Sequence, residues 1–220
     1  IRFYYHQSIF WHLYKNDNVT WVTDKEAIPL LKDNPFIKTL LPLDWINAER
    51  LRRQWFDIII NLEKVSGICA LFDQIPTRSR YGFRFDTRTG EAKAYDKAFE
   101  VLAVSSDPQI KKKNERITQE LLFEMVGEKW NGEEYVLGYY PKSKEIYDVG
   151  LNLTVGTKWP LKSWPLKNWD ELAKRFEQDG LKISRQDDPR NQEMLKDIHK
   201  YIDWINSCRI IVTNDSLGLH

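Results

Sequence analysis

Apolar positions along the chain switch repeatedly between two spacings. Val19-Thr20-Trp21-Val22-Thr23 and residues 36–41, 56–62 and 77–83 cluster or alternate as strands do. Residues 8–14, 24–31, 44–54 and 65–72 carry apolar side chains at helical intervals. Strands alternating with short helices predict a mostly parallel α/β sheet. Residues 84–109 lose periodicity around Gly90, Ser105, Ser106 and Pro108, so they read as a loop region of the kind that holds substrate. A helix follows over 110–126, with Ile117, Leu121, Leu122 and Met125 on one face and Lys111-Lys112-Lys113 on its first turn. Positive charge there opposes the helix dipole. A solvated face explains the run blandly; an acidic or phosphorylated ligand explains it more sharply. Gly127, Gly132, Gly138 and Pro141 make 127–147 a hinge, which divides a domain of residues 1–140 from one of 141–220.

The α/β rhythm restarts in the second half. Val149-Gly150-Leu151-Asn152-Leu153-Thr154-Val155 is a buried-strand run that breaks at Gly156 into a basic loop with two Trp-Pro pairs. A helix then begins near Asn168, with Trp169, Leu172, Ala173 and Phe176 inward and Asp179-Gly180 as its stop. Residues 181–184 form a short strand, 185–190 a polar loop and 191–205 a helix. A last strand at 209–213 runs into Asn214-Asp215-Ser216-Leu217-Gly218-Leu219-His220. A strand ending this way normally feeds a helix, so the pattern reads as incomplete at both ends.

Composition narrows the chemistry. Within 220 residues, 33 Lys+Arg against 32 Asp+Glu leave a formal charge of +1, so no global field draws the chain to nucleic acid or an anionic membrane. Any anion site must therefore be local. Cys69 and Cys208 each sit among apolar neighbours and read as buried free thiols of a reducing compartment. The four histidines, His6, His12, His199 and His220, lack ligand spacing, so no metal site is expected. No apolar run approaches the roughly 18 residues that span a bilayer.

The stretch at 148–165 is the chemical centre. A strand, a Gly-opened basic loop and a helix present backbone N–H groups and a lysine to an anion. Its spacing is not that of a P-loop. Lys162 beside Trp164 could snorkel over the ring, and Asp215 and Ser216 could serve as a helix cap. Asp215, Ser216 and His220 lack the G-x-S-x-G turn and the spacing of a hydrolase triad. Arg78, Arg80 and Lys113 read equally as solvated positions and as contacts for an anionic acceptor.

Lys162-Ser163-Trp164-Pro165, followed about 50 residues later by Asp215-Ser216-Leu217-Gly218-Leu219-His220, resembles glycosyltransferase family nine, the ADP-heptose:lipopolysaccharide heptosyltransferases and relatives. Residues 21–41, 56–63 and 78–86 resemble the acceptor-side half. The resemblance implies a GT-B architecture, two Rossmann-like domains facing across a cleft, with inverting, metal-independent and cofactor-free transfer from a nucleotide-sugar, ADP-heptose above all. It implies a lipopolysaccharide core or related glycan as acceptor, a cytoplasmic enzyme at the inner face of the bacterial inner membrane, and peripheral membrane contact. Residue by residue, Gly156, Thr157, Lys162, Asp215, Ser216, Gly218 and His220 fall on the donor diphosphate site, and Gln186, Asp187 or Glu193 near the ribose. One departure stands out. The family's Gly-Asp loop, whose Asp is the expected base, is replaced by Tyr4-Tyr5-His6-Gln7. His6 is the weak substitute, and a non-catalytic GT-B-like nucleotide- or glycan-binding protein is the alternative.

Overall fold

A computed structural model describes residues 11–14, 16–134, 136, 138–156, 160–192 and 194–216, and the chain divides into two compact units. Unit 1 comprises Ile1–Ile28 and Asn34–Leu137; unit 2 comprises Pro29–Asp33 and Gly138–His220. Among the described residues no helix is long and apolar enough to cross a membrane.

In unit 1 a short helix α1 (Trp11–Tyr14) precedes β1 (Val19–Thr23), which pairs in parallel with β2 (Ile37–Pro42), Trp21 opposite Leu40. Parallel neighbours need a crossover. Here it is a 3-10 turn at Lys25–Ala27, capped by the Asp24 carboxylate, running into α2 (Ile28–Leu31). After α3 (Trp45–Leu51), β3 (Phe56–Asn61) pairs in parallel with β4 (Thr77–Phe85) across α4 (Ser66–Asp73), and β5 (Ala92–Ala94) folds back antiparallel on β4. Among the described residues no ladder joins β1–β2 to β3–β4–β5. A groove of about 550 Å³ lies there, lined by Tyr14, Trp21, Thr39 and Ile58 among others. Cys69, Phe83, Ala98, Phe123 and Met125 form the main core of the unit, and Leu41, Leu51, Ile59 and Ile75 a second cluster.

Two expectations for this half are corrected. Residues 84–109 are not a loop: they hold the end of β4, β5 and α5 (Phe99–Ser106). The turn before β5 closes through Gly90 N–H on the Asp86 carbonyl at 2.8 Å. α5 was illegible because none of its residues is fully buried, so no stripe marks it; Val101 and Leu102 pack partly against the core. The helix expected over 110–126 is two, α6 (Pro108–Lys113) and α7 (Thr118–Met125). Asn114 turns extended between them, its side-chain amide donating to the Arg116 carbonyl at 2.7 Å. Asp107 caps α6 by accepting from Gln109 N–H at 2.7 Å. Lys111, Lys112 and Lys113 therefore occupy a last turn, where positive charge suits the dipole.

Unit 2 is a three-stranded parallel sheet in the order β7–β6–β8, with β6 (Tyr147–Asn152) between β7 (Ile183–Arg185) and β8 (Cys208–Thr213). Val149 faces Ile183 on one side and Ile210 on the other. α8 (Leu166–Gln178) lays Trp169 and Ala173 onto Val149, Leu151 and Leu153, with Leu172 and Phe176 at the margin. The helix expected over 191–205 is instead α9 (Pro189–Gln192), a 3-10 turn at Met194–Lys196, and α10 (Ile198–Asn206). The break comes from Asp197, whose carboxylate caps α10 by accepting from His199 N–H at 2.9 Å and Lys200 N–H at 3.1 Å. Cys69 and Cys208 are buried and free, as the sequence predicts.

Gly82 shows how tightly β3 and β4 meet. It stands opposite Asn61 at φ +91°, and a Cβ there would lie 1.9 Å from the Asn61 carbonyl oxygen. Gly82→Ala is expected to destabilise unit 1 by about 2–4 kcal/mol, backbone strain adding to overpacking. Urea denaturation monitored by circular dichroism measures this, and an unchanged midpoint would contradict the close approach.

Candidate functional site

The carboxyl ends of β6 and β8 lie side by side, because the two strands are parallel neighbours with Asn152 opposite Thr213. Crevices outside the carboxyl ends of parallel strands are where α/β folds place ligands. Two loops emerge there, one leading from β6 to α8 and one following β8.

Buried amides fix these loops. Asn152 is fully buried (0% exposed). Its amide nitrogen donates to Thr213 Oγ1 at 2.8 Å and to Ser216 Oγ at 3.2 Å, while its oxygen accepts from the Tyr201 hydroxyl at 3.0 Å. Burial pushes the Tyr201 phenol up to about 12, so it remains a donor at neutral pH. Asn214, also buried, donates to the Leu153 carbonyl and accepts from Trp164 N–H at 3.1 Å. Removing either amide strands buried partners, at about 1–3 kcal/mol each. Residue type and motif do not single out Asn152, Tyr201 or Asn214. A polar residue inside the apolar run 149–155 was the available signal.

On this frame Lys162, at the end of the 3-10 turn Pro160–Lys162, forms an ion pair with Asp215. Both side chains are about half exposed (43% and 57%). They stand at an open depression of about 530 Å³ walled by Leu161, Trp164, Trp169 and Leu172. Trp164 meets Trp169 edge-on, the ring centroids 5.1 Å apart at 83°. Among the described residues the buried Trp169 indole N–H has no acceptor. A lysine that already holds an anionic oxygen at the rim of a depression can exchange it for a phosphate oxygen. Ser216 reaches the same corner through Asn152.

Other expected site residues fall elsewhere. Gln186 follows β7, and its amide oxygen accepts both the backbone N–H and the hydroxyl of Thr154 at 2.9 Å, bracing the loop after β6. A Cβ at Gly156 would meet nothing within 4 Å and its φ is not positive, so the turn does not demand glycine. Thr157, Gly218, His220, His6 and Glu193 lie outside the described residues. In unit 1, the Arg80 guanidinium donates to the Asp73 carbonyl at 3.2 Å and to the Ile75 carbonyl, which fixes the α4–β4 turn. Arg78 is exposed on β4, and Lys113 ends α6. Among the described residues no cluster of His, Cys, Asp or Glu could hold a metal ion.

With that geometry in hand, comparison with known proteins decides the family. The profile of glycosyltransferase family 9 (heptosyltransferase) matches residues 46–220. This chain belongs to glycosyltransferase family 9. Its mixed α/β, mostly parallel architecture is that of the family's GT-B-like enzymes, and it is a glycosyltransferase of the heptosyltransferase kind. Among solved structures, the E. coli heptosyltransferase WaaC with ADP is 13% identical at a TM-score of 0.61, covering 98% of this chain and 77% of that one. The same enzyme with ADP-2-deoxy-2-fluoro heptose is 14% identical at 0.60, covering 98% and 78%. At this identity the likeness is one of fold. No curated protein sequence matches significantly.

Acid titration reports on the loop beside Gln186. Arg185 hydrogen-bonds Asp187 at 2.9 Å and meets Asp170 at 2.8 Å. The Arg185 hydrogen bond holds the Asp187 carboxyl below its ordinary range. A depressed folded-state value means that the pair stabilises fully above the ordinary aspartate pKa of about 3.9 and is lost as pH falls below it. Asp187→Asn should therefore lower the thermal midpoint at neutral pH and flatten its fall between about pH 4 and pH 2. Parallel acid limbs in the two proteins would refute the assignment.

Proposed function

We propose that the chain moves a sugar of the heptose class from an ADP-sugar to a lipopolysaccharide core or related glycan, by inverting, metal-independent transfer without a cofactor. The acceptor hydroxyl attacks the anomeric carbon and yields its proton to a general base. The bond from that carbon to the phosphate oxygen breaks, and the diphosphate leaves with the electron pair. Charge therefore grows on the diphosphate, and a positioned cation stabilises the transition state more than the ground state. Lys162 is that cation. Ser216, which reaches the same corner through Asn152, supplies a polar contact beside it.

The observation that carries this reading is the Lys162 ammonium, held by a carboxylate at the rim of an open depression beside the carboxyl ends of two parallel strands. The nearest carboxylate then acts as a stand-in that the donor diphosphate displaces. Membership of the family and the nucleotide bound in the E. coli enzyme agree with ADP as the donor nucleotide.

Calorimetric titration with ADP, UDP and GDP tests the proposal. ADP should bind selectively, and Lys162→Ala should weaken it about 10- to 100-fold, as expected for a charge-assisted hydrogen bond of about 1.5–3 kcal/mol. Equal affinity in the variant would remove Lys162 from the donor site.

A further inference from the structure

Trp164 holds a position that packing alone does not explain. The core of unit 2 is closed by Trp169 and Ala173 over Val149, Leu151 and Leu153, with Leu172 and Phe176 at its margin, and Trp164 stands outside that cluster. Its ring is 42% exposed and walls the depression together with Leu161, which is fully exposed. Large apolar side chains left open beside a depression mark the wall of a ligand site. The main chain fixes the ring's place. Trp164 N–H donates to the Asn214 amide oxygen at 3.1 Å, Pro165 follows, and α8 begins at the next residue. A tryptophan seated in this way offers a broad contact face at little cost in side-chain entropy.

The shape of the corner selects its occupant. Trp164 and Trp169 meet at 83°, so their ring planes enclose nearly a right angle. A flat nucleobase is held best in a slot between parallel faces. A corner suits a puckered sugar ring, which turns C–H groups to an apolar face and hydroxyls away from it. Ser163 borders the same depression and brings a hydroxyl to it. The wall is also incomplete as protein structure, because the Trp169 indole N–H, in a residue only 2% exposed, finds no acceptor among the described residues. Folded proteins leave few buried donors in that state. Distance fits as well. Trp164 lies two residues beyond Lys162, a span of at most about 7 Å of chain, comparable to a sugar ring bonded to a phosphate.

We propose that Trp164 is the platform for the sugar of the donor, its indole face carrying the C–H groups of the ring while the diphosphate rests on Lys162. The inference rests on the donor reading of this depression. It makes Trp164 the residue that distinguishes a nucleotide-sugar from the bare nucleotide.

Calorimetric titrations with ADP and with ADP-2-deoxy-2-fluoro heptose, the analogue bound in the E. coli structure, test it on the protein and on two variants. Trp164→Leu keeps an apolar side chain in the loop and removes the aromatic face. It should weaken the sugar nucleotide about tenfold and leave ADP within about twofold. Trp164→Phe should restore most of the difference. In proton NMR the sugar protons of the bound analogue should move upfield under the indole face, and Trp164→Leu should abolish that displacement at saturation. Equal weakening of both ligands, or unchanged affinity for the sugar nucleotide, would overturn the platform and leave the donor site standing. Binding of neither ligand by the unaltered protein would overturn the donor reading itself, and the platform with it.

Discussion

A single buried carboxamide organises unit 2. Asn152 sits at the end of the central strand with no exposure, where an unpaired amide would be costly. Its three hydrogen bonds reach Thr213, Ser216 and Tyr201, so one side chain ties the central strand to β8, to the loop after β8 and to α10. Asn214 repeats the device one residue beyond β8, joining Leu153 to Trp164. Apolar packing of Val149, Leu151 and Trp169 holds the layers together but is non-directional. The amides add direction. They set where the loop carrying Lys162 stands relative to the loop carrying Asp215.

That placement gives the Lys162–Asp215 pair its meaning. An ion pair between half-exposed groups contributes little stability, about 0–1 kcal/mol. Both groups lie beside an open depression, where a weak contact is easily exchanged. A lysine locked in a buried bridge could not leave its partner for a diphosphate at modest cost. The site is thus rigid in its frame and exchangeable at its tip, which suits a group that must meet charge as it develops. Gln186 belongs to the frame, since its amide oxygen is occupied by Thr154.

Much of the fold was legible because its strands and helices keep clean periods. The alternation from residue 19 to 83 and again from 147 to 213 marks parallel α/β units, and every strand expected there is present, although the one expected over 149–155 runs from Tyr147 to Asn152. Legibility ended where short polar side chains compete for the backbone. Asn114 and Asp197 each break an apparently continuous apolar stripe by bonding nearby main-chain groups, a choice that periodicity does not record. α5 was missed because it buries no residue fully, and β5 because three residues show no alternation. In the site, Lys162 and Asp215 stood out by residue type and motif, yet their meeting across 53 residues is tertiary. The amide clamp was hidden for the same reason, since Asn152 looks like a blemish in a strand until its partners are known.

The central claim is that the Lys162 ammonium, seated by this clamp, holds the diphosphate of the donor. Phosphorus NMR of protein-bound ADP addresses it directly, because the α and β phosphates give separate lines. Bound ADP should show its phosphorus lines shifted from those of the free nucleotide, and Lys162→Ala should return them toward the free position even at saturating protein. Lines that stay shifted equally in the variant would mean that the diphosphate is held elsewhere, and the account of the site would fail.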